Sequence, residues 1–501
     1  MPHSVGEDNG AVAARRPSSL SLLASEPQHV HPFPEPTRQH ALNAVKQRWR
    51  ADDAAARQQQ LLAGPILPTL LRFALPNMAA MLATALAAIA ETGFVGSMGV
   101  SSLAGMALVF PMVMLQQMLS AGAMGGGVSS AVSRALGAGD GARANALAVH
   151  AMWIGLAAGL LSTAAMLAFG PALYALLGGR GTALAQAVAY SNVAFLGSVG
   201  IWLLNTCASV IRGSGNMRVP SATLLVVAAV QVLVGGACGL GWFGLPRGGM
   251  AGLALGQVVA YLGGAVFLLA YLRSGRARLQ LAVAATPLQS ELLRDILRVG
   301  AVACLSPLQT VVTILVLTGL VARLGTDALA GYGIGTRLEF LLVPIAFAIG
   351  VASVPLVGMA IGAGQVQRAR RVAWTAAGVA FAVLGVLGLV LAVAPGLWTG
   401  VFTQDAAVLA ASASYFHWVG PSYGLFGLGL CLYFSSLGAG HALGPVLAGT
   451  LRLLVVALGG WLLAQAQAAP WTIFALASLG MAAYGLATAG AVHVARWGTK
   501  G

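Results

Sequence analysis

Charge is what this sequence has least of. Only 8% of its 501 residues are Asp, Glu, Lys or Arg, against about 25% in an ordinary soluble domain. With 58% hydrophobic residues and a mean hydropathy of +0.84, too few charges remain to cover a water-facing surface. A soluble globular enzyme and a disordered chain are excluded. Cysteine is scarce too. Cys207, Cys238, Cys304 and Cys431 each sit inside an apolar run and none forms a CxxC pair, so they read as small buried hydrophobes rather than a disulfide framework. The chain has no GxxxxGK[ST] loop, no HExxH and no GxSxG elbow. Neither ATP-driven transport by this chain alone nor enzymatic chemistry is expected.

Long apolar runs and 66 glycines are what the sequence does have. Small residues let helix backbones approach closely in lipid, and continuous apolar runs argue against a barrel of short alternating strands. The expected fold class is an all-α polytopic membrane protein. A span needs about 20 residues to cross about 30 Å of hydrocarbon. Gly, Pro and charge clusters punctuate twelve such runs: 69–95, 103–127, 146–169, 184–210, 219–240, 250–272, 297–322, 329–359, 372–394, 408–436, 446–464 and 470–494.

Residues 1–60 differ, holding much of the charge and proline, with no apolar core of a secretory signal after a short basic start. They are expected to form a largely disordered cytoplasmic tail, with a surface helix over 39–62. His29 and His31, ahead of Pro32 and Pro34, read as solvated tail rather than a metal site. The 27 Lys and Arg then fix an orientation. With the amino terminus cytoplasmic, all fall in the tail or on the inner side, except Arg180, Arg247 and Arg323 in outer loops and Arg337 and Arg452 within spans. The net charge of +14 is thus positive-inside bias and calls for no nucleic-acid partner. A multi-pass protein of the plasma membrane (the bacterial inner membrane), with both termini cytoplasmic, is expected.

The chain also repeats itself at a nearly constant spacing. Leu71-Arg72-Phe73 pairs with Leu297-Arg298-Val299, and Met98–Gly105 with Leu324–Gly331. Gly137 and Gly139 pair with Gly362 and Gly364, and Gly213, Gly215 and Pro220 with Gly438, Gly440 and Pro445. Six spans per half make parallel repeats with a cavity at their interface. The expected organisation is a first lobe over 61–275, an inter-lobe linker over 276–290, a second lobe over 291–495 and a short terminus over 496–501. Two lobes rocking about a central site suit alternating access.

Charge in a bilayer is costly, so acids within spans stand out: Glu91 in span 1 and Glu339 in span 8. A carboxyl group in an oily pocket can hold a proton and give it up to an arriving cation; Glu91 is the candidate coupling residue, and an interfacial glutamate is the plainer alternative. Arg337 and Glu339 are two apart and do not face each other on a helix, which leaves a gating role or an ion pair with other partners. Pro76, Asn205, Gln231, Gln309, Thr310 and His417 are candidate cavity or substrate contacts, against simple helix–helix bridging for the amides and an aromatic-belt role for His417. Met112, Met114, Met118 and Met124 could line an adaptable cavity.

These residues resemble those of the multidrug and toxic compound extrusion (MATE) family over roughly 65–495. The resemblance rests on Pro76 and Glu91 in span 1 with Gly96, Gly99 and Leu103-Ala104 after them. It also rests on the inner segment Arg134–Asp140 and the loop Arg212–Pro220. Gly335-Thr336-Arg337-Leu338-Glu339 is similar to the span-8 motif of the prokaryotic DNA-damage-inducible branch. The resemblance implies export of small organic, cationic or amphipathic compounds driven by inward H⁺ or Na⁺, with Glu91 where the family has its first-lobe aspartate. It departs from the family at the second acid of that lobe, which falls near Gly235. Gln231 stands near an asparagine position, and the span-7 acid of another branch falls near Gln309 or Thr310. A lone acid suits H⁺ better than Na⁺, which wants several oxygen ligands; Na⁺ near Glu91 is the alternative. No other cofactor or metal is expected, and the partners are membrane lipid and small organic substrates around a monomer. The rival functions are a flippase of lipid-linked or metabolic cargo on a related scaffold, and a non-transporting membrane receptor or assembly protein.

Overall fold

The computed structural model describes residues 59, 61–275, 277–279, 281, 287–466 and 469–498. The expected tail, almost all of the 39–62 helix, the His29/His31 pair and part of the 276–290 linker lie outside these. Eleven helices are long and apolar enough to cross a membrane, or twelve when the bent pair Gly181–Leu196 and Ser198–Gly213 is one span. We number them α1 Ile66–Ser97, α2 Val100–Gly137, α3 Gly141–Leu176, α4 the bent pair, α5 Arg218–Leu240 and α6 Gly249–Arg273. In the second half they are α7 Ser290–Ala322, α8 Thr326–Gly362, α9 Val366–Val393, α10 Ala406–Ala439, α11 Leu443–Gln465 and α12 Trp471–Val494. All twelve runs read from the sequence fall on these helices. Only helices satisfy their own backbone in hydrocarbon, and leucines such as Leu86, Leu161 and Leu458 remain on the exterior for lipid to cover.

Two of the helix starts carry an aspartate cap. Asp140 accepts from the Arg143 backbone N–H at 2.8 Å to start α3, and Asp405 accepts from Ala407 and Val408 to start α10. Two boundaries differ from the sequence reading: Arg212 belongs not to a loop but to the last turn of α4, and Arg134 to the last turn of α2. The polar end of that helix is buried between other helices and so needs no water, which a count of apolar residues does not register.

The repeat is visible in the backbone. Gly99 before α2 and Gly325 before α8 have φ, ψ of 109°, 171° and 110°, 174°. Gly215 and Gly440, after the matching helices α4 and α10, have φ of 87° and 84°. L-residues with a Cβ rarely adopt such angles. The helix breaks correspond as well: α4 bends by 47° after Leu196, and α10 is interrupted by a short 3₁₀ turn at Gly420–Ser422.

The two halves of the chain meet mainly at one face, where α2 ends and α7 begins. The end of α2 packs on α7, α8 and α10, while α1 packs on α8. Glycine makes this approach possible: a Cβ on Gly137 would stand 2.2 Å from the Met359 carbonyl oxygen, and one on Gly127 would stand 2.8 Å from the Gly300 backbone. Charge adds a latch. Asp295 of α7 accepts from Arg134 Nη2 at 2.8 Å through one oxygen and from Arg143 Nη2 at 2.9 Å through the other. Arg368 of α9 donates to the carbonyls of Leu61 and Gly64 ahead of α1.

Two outcomes test this interface. Gly137→Val should overpack the α2–α8 contact and cost about 1–3 kcal/mol, read as a lowered Tm of the detergent-solubilised protein; an unchanged Tm would show that the contact is slack. Asp295→Asn should leave Tm nearly unchanged but loosen the latch. Spin labels at Ala138 and Glu291 should then give a broader, longer distance distribution, and an unaltered distribution would deny the latch its role.

Candidate functional site

Glu91 sits on α1 with 4% of its surface exposed, so its side chain is enclosed by protein. Gln231 of α5 donates from Nε2 to Glu91 Oε1 at 2.8 Å. Tyr190 of α4 and Tyr261 of α6 stand near enough to interact with the carboxyl electrostatically. Four helices of the first half thus enclose one acid. Gly235, where a second acid was to be looked for, packs against Gly256 of α6: a Cβ on Gly256 would stand 2.4 Å from the Gly235 nitrogen. The helices touch there, and a Cβ on Gly235 itself would stand 3.2 Å from Leu253 Cδ1 and 3.3 Å from the Leu253 carbonyl oxygen.

A chain of neutral polar groups starts at Tyr261, which interacts with Glu91 through space. Gln117 Nε2 donates to the Tyr261 hydroxyl at 2.7 Å. Asn205 Nδ2 donates to Gln117 Oε1 at 3.2 Å and to Ser120 Oγ at 2.9 Å. Ser120 belongs to a π-helical stretch of α2, Met118–Met124, a wider winding found often at functional sites. Asn205 thus bridges α4 and α2, and Gln231 bridges α5 and α1; neither is in the wall of the cavity described next. Pro76, half-buried within α1, lies outside the cavity lining too.

The other side of the π stretch faces a cavity of about 100 Å³ in the second half, to which Met118, Gly122 and Ala123 contribute. The rest of the wall comes from α7, α8, α10, α11 and α12. Gln309 and Thr310 line it, as the sequence suggested, with Phe347, Phe426, Tyr433 and Arg452. Met118 is the one candidate methionine in the wall, while Met124 packs on Gly300.

Glu339 and Arg337 part company. Tyr415 donates its hydroxyl to Glu339 Oε1, and the Tyr423 hydroxyl approaches the same oxygen at 3.4 Å. The exposed Arg337 lies over the Phe402 ring, 5.4 Å from its centroid. They form no ion pair with each other, since side chains two apart leave the helix in different directions. The cation near Glu339 is Arg452 of α11, without a salt bridge between them among the described residues. His417 is exposed beside Trp418, which stacks on Trp471 at 4.9 Å; it lies outside the cavity wall, because its helix turns Tyr415 and Phe416 inward instead. Sequence reasoning saw Arg452 only as a charge within a span. It missed Tyr190, Tyr261, Tyr415 and Tyr423, whose hydroxyls leave no mark in an apolar run. Among the described residues, no group of three His, Cys, Asp or Glu could hold a metal ion.

Comparison with known proteins gives the family. The MatE profile matches the chain twice, over residues 76–236 and 303–462, once in each repeat. A FAD transporter from Shewanella oneidensis is 25% identical over 384 residues, 76% of this chain and 84% of the relative. A probable multidrug resistance protein, NorM, from Thermotoga maritima is 26% identical over 346 residues, 68% and 74% of the two chains. In fold, a MOP superfamily transporter from Pyrococcus furiosus superimposes with a TM-score of 0.79 at 21% identity, covering 86% of this chain and 95% of that one. With two MatE segments, eleven or twelve helices long and apolar enough to span a membrane, and a MATE fold, the chain belongs to the MatE family of transporters and is not an enzyme.

Proposed function

We propose that this transporter is a secondary antiporter that exports small organic, amphipathic compounds in exchange for inward protons, with Glu91 as the coupling residue. One observation carries the reading: a single carboxyl group buried among α1, α4, α5 and α6, with Gln231 as its hydrogen-bonded partner. Removing a charge from water costs far more than removing a neutral acid, so occupancy of this site by a proton and the surrounding packing are linked. Two oxygens of one carboxylate do not make a Na⁺ site, which favours H⁺. The polar chain Tyr261–Gln117–Asn205–Ser120 supplies a route by which a change at Glu91 reaches the π stretch, and through it the cavity wall.

The segments 61–275 and 291–495 act as the two rocking lobes. Arginine placement supports a cytoplasmic side for the face closed by Arg134, Arg143 and Asp295 and for both chain termini, in the plasma membrane of a bacterium. This is the state in which the cytoplasmic gate is shut. Gly335–Glu339 favours the DNA-damage-inducible branch. Relatives named for FAD transport and for multidrug resistance share the family, so the cargo is set by the cavity rather than by the fold.

Reconstituted in liposomes, the protein should drive efflux of a fluorescent amphipathic dye when a pH gradient is imposed. A Na⁺ gradient alone should not do so. Glu91→Gln keeps size and removes titration; coupled efflux should fall to the level of empty liposomes while Tm stays within a few degrees. Unimpaired coupling in that variant would refute the assignment, and efflux driven by Na⁺ alone would overturn the choice of ion.

A further inference from the structure

The cavity between the π stretch of α2 and the second-half helices has an unusual balance of groups. Its wall is largely apolar and aromatic, and the charged side chain in it is a cation, Arg452. That residue is 8% exposed, and its Nε–H has no hydrogen-bond acceptor. Neither a salt bridge nor a hydrogen bond to its guanidinium is found among the described residues. Glu339 accepts from the Tyr415 hydroxyl and acts on Arg452 only through space, without a hydrogen bond to it. The guanidinium is held from one side by the Phe426 ring, its carbon 5.2 Å from the centroid. Cation–π contact of that kind fixes the plane of the group and leaves its edge free to donate.

Leaving a guanidinium unpaired away from water is costly. Such a cost is tolerated where an incoming group satisfies it. Across the same cavity, Gln309 donates to Thr450 Oγ1 at 2.7 Å but keeps its own oxygen unpartnered, and that oxygen is buried. Gly449 makes the space: a Cβ there would stand 2.5 Å from Gln309 Oε1. The cavity wall therefore carries a forked cationic donor, a neutral acceptor, and the aromatic side chains of Phe347, Phe426 and Tyr433.

We propose that this cavity is a substrate-recognition site for aromatic organic anions. A planar ring stacks in the aromatic part, while a carboxylate or phosphate group on it accepts from Arg452, and Gln309 Oε1 accepts from a donor on the same molecule. The assignment rests on the transport reading above and sharpens its substrate class. It opposes the cationic cargo expected from the family resemblance, because a cation would meet the Arg452 charge head-on without a carboxylate in the wall to offset it.

A matched pair of probes tests this. Riboflavin and riboflavin 5′-phosphate share one fluorescent ring system and differ by the phosphate. Their binding to the full chain in phosphatidylcholine nanodiscs is measured by fluorescence anisotropy at equilibrium. No ion gradient is present, so a failure of coupling through Glu91 cannot alter the outcome. The phosphate ester should bind about ten-fold tighter or more, as a charge-assisted pair requires. Arg452→Gln should weaken the ester alone and shrink the preference to about two-fold or less. Equal affinities in the unaltered protein, or a preference that survives Arg452→Gln, would overturn the proposal. Should that variant fail to fold, displacement from the unaltered chain decides. Benzoate should compete with the bound ester and benzyltrimethylammonium should not; better competition by the cation would overturn it equally.

Discussion

Hydrocarbon offers no hydrogen bonds, and the structure is organised around that one deficiency. Each polar side chain within the spans must be met by another, and the meetings decide which helices touch. Gln231 meets Glu91 across α5 and α1, Asn205 meets Ser120 across α4 and α2, and Tyr415 meets Glu339 across α10 and α8. Packing of glycine against backbone brings the helices near; these pairs set their register. A partner is withheld at several buried atoms, Asn77, Gln116 and Arg212 among them, and at Arg452 and the oxygen of Gln309 the unpartnered group belongs to a cavity wall.

The two halves have taken different sides of this constraint. In the first, the acid is enclosed and its neighbours are neutral amides and phenols, so the site can respond to a proton without breaking an ion pair. In the second, the acid is bound by phenols and a cation faces the open space. The repeated backbone, down to matching glycine angles at Gly99 and Gly325, thus carries two different chemistries. In the proposed exchange, one lobe registers the driving ion while the other holds cargo, and the π stretch of α2 lies against both.

Much of this was legible in the sequence. Twelve runs of apolar residues gave the spans, because cost per residue in lipid is large and local, and Glu91 stood out for the same reason. Gln309 and Thr310 reached the cavity as expected. What the sequence withheld were relations between distant positions. Arg337 lies beside Glu339 in the chain, yet the helix sends them apart, and the nearby cation comes from α11. His417 has the chemistry of a site but turns outward, since Tyr415 and Phe416 occupy the inner side of the same turn. Tyrosine hydroxyls count as polar only once a partner is seen. The π winding of α2 leaves no signature in composition at all.

That winding has a mechanical meaning. A stretch of wider helix carries one residue more than a regular helix of the same height would hold, much as a dislocation carries an extra row in a crystal. Such a surplus can slide along by exchanging one set of backbone bonds for the next, turning the side chains it passes by about 100° while both ends stay anchored. A wall built from Met118, Gly122 and Ala123 can in this way be re-faced from within a single helix, without unwinding it and without exposing its backbone to lipid.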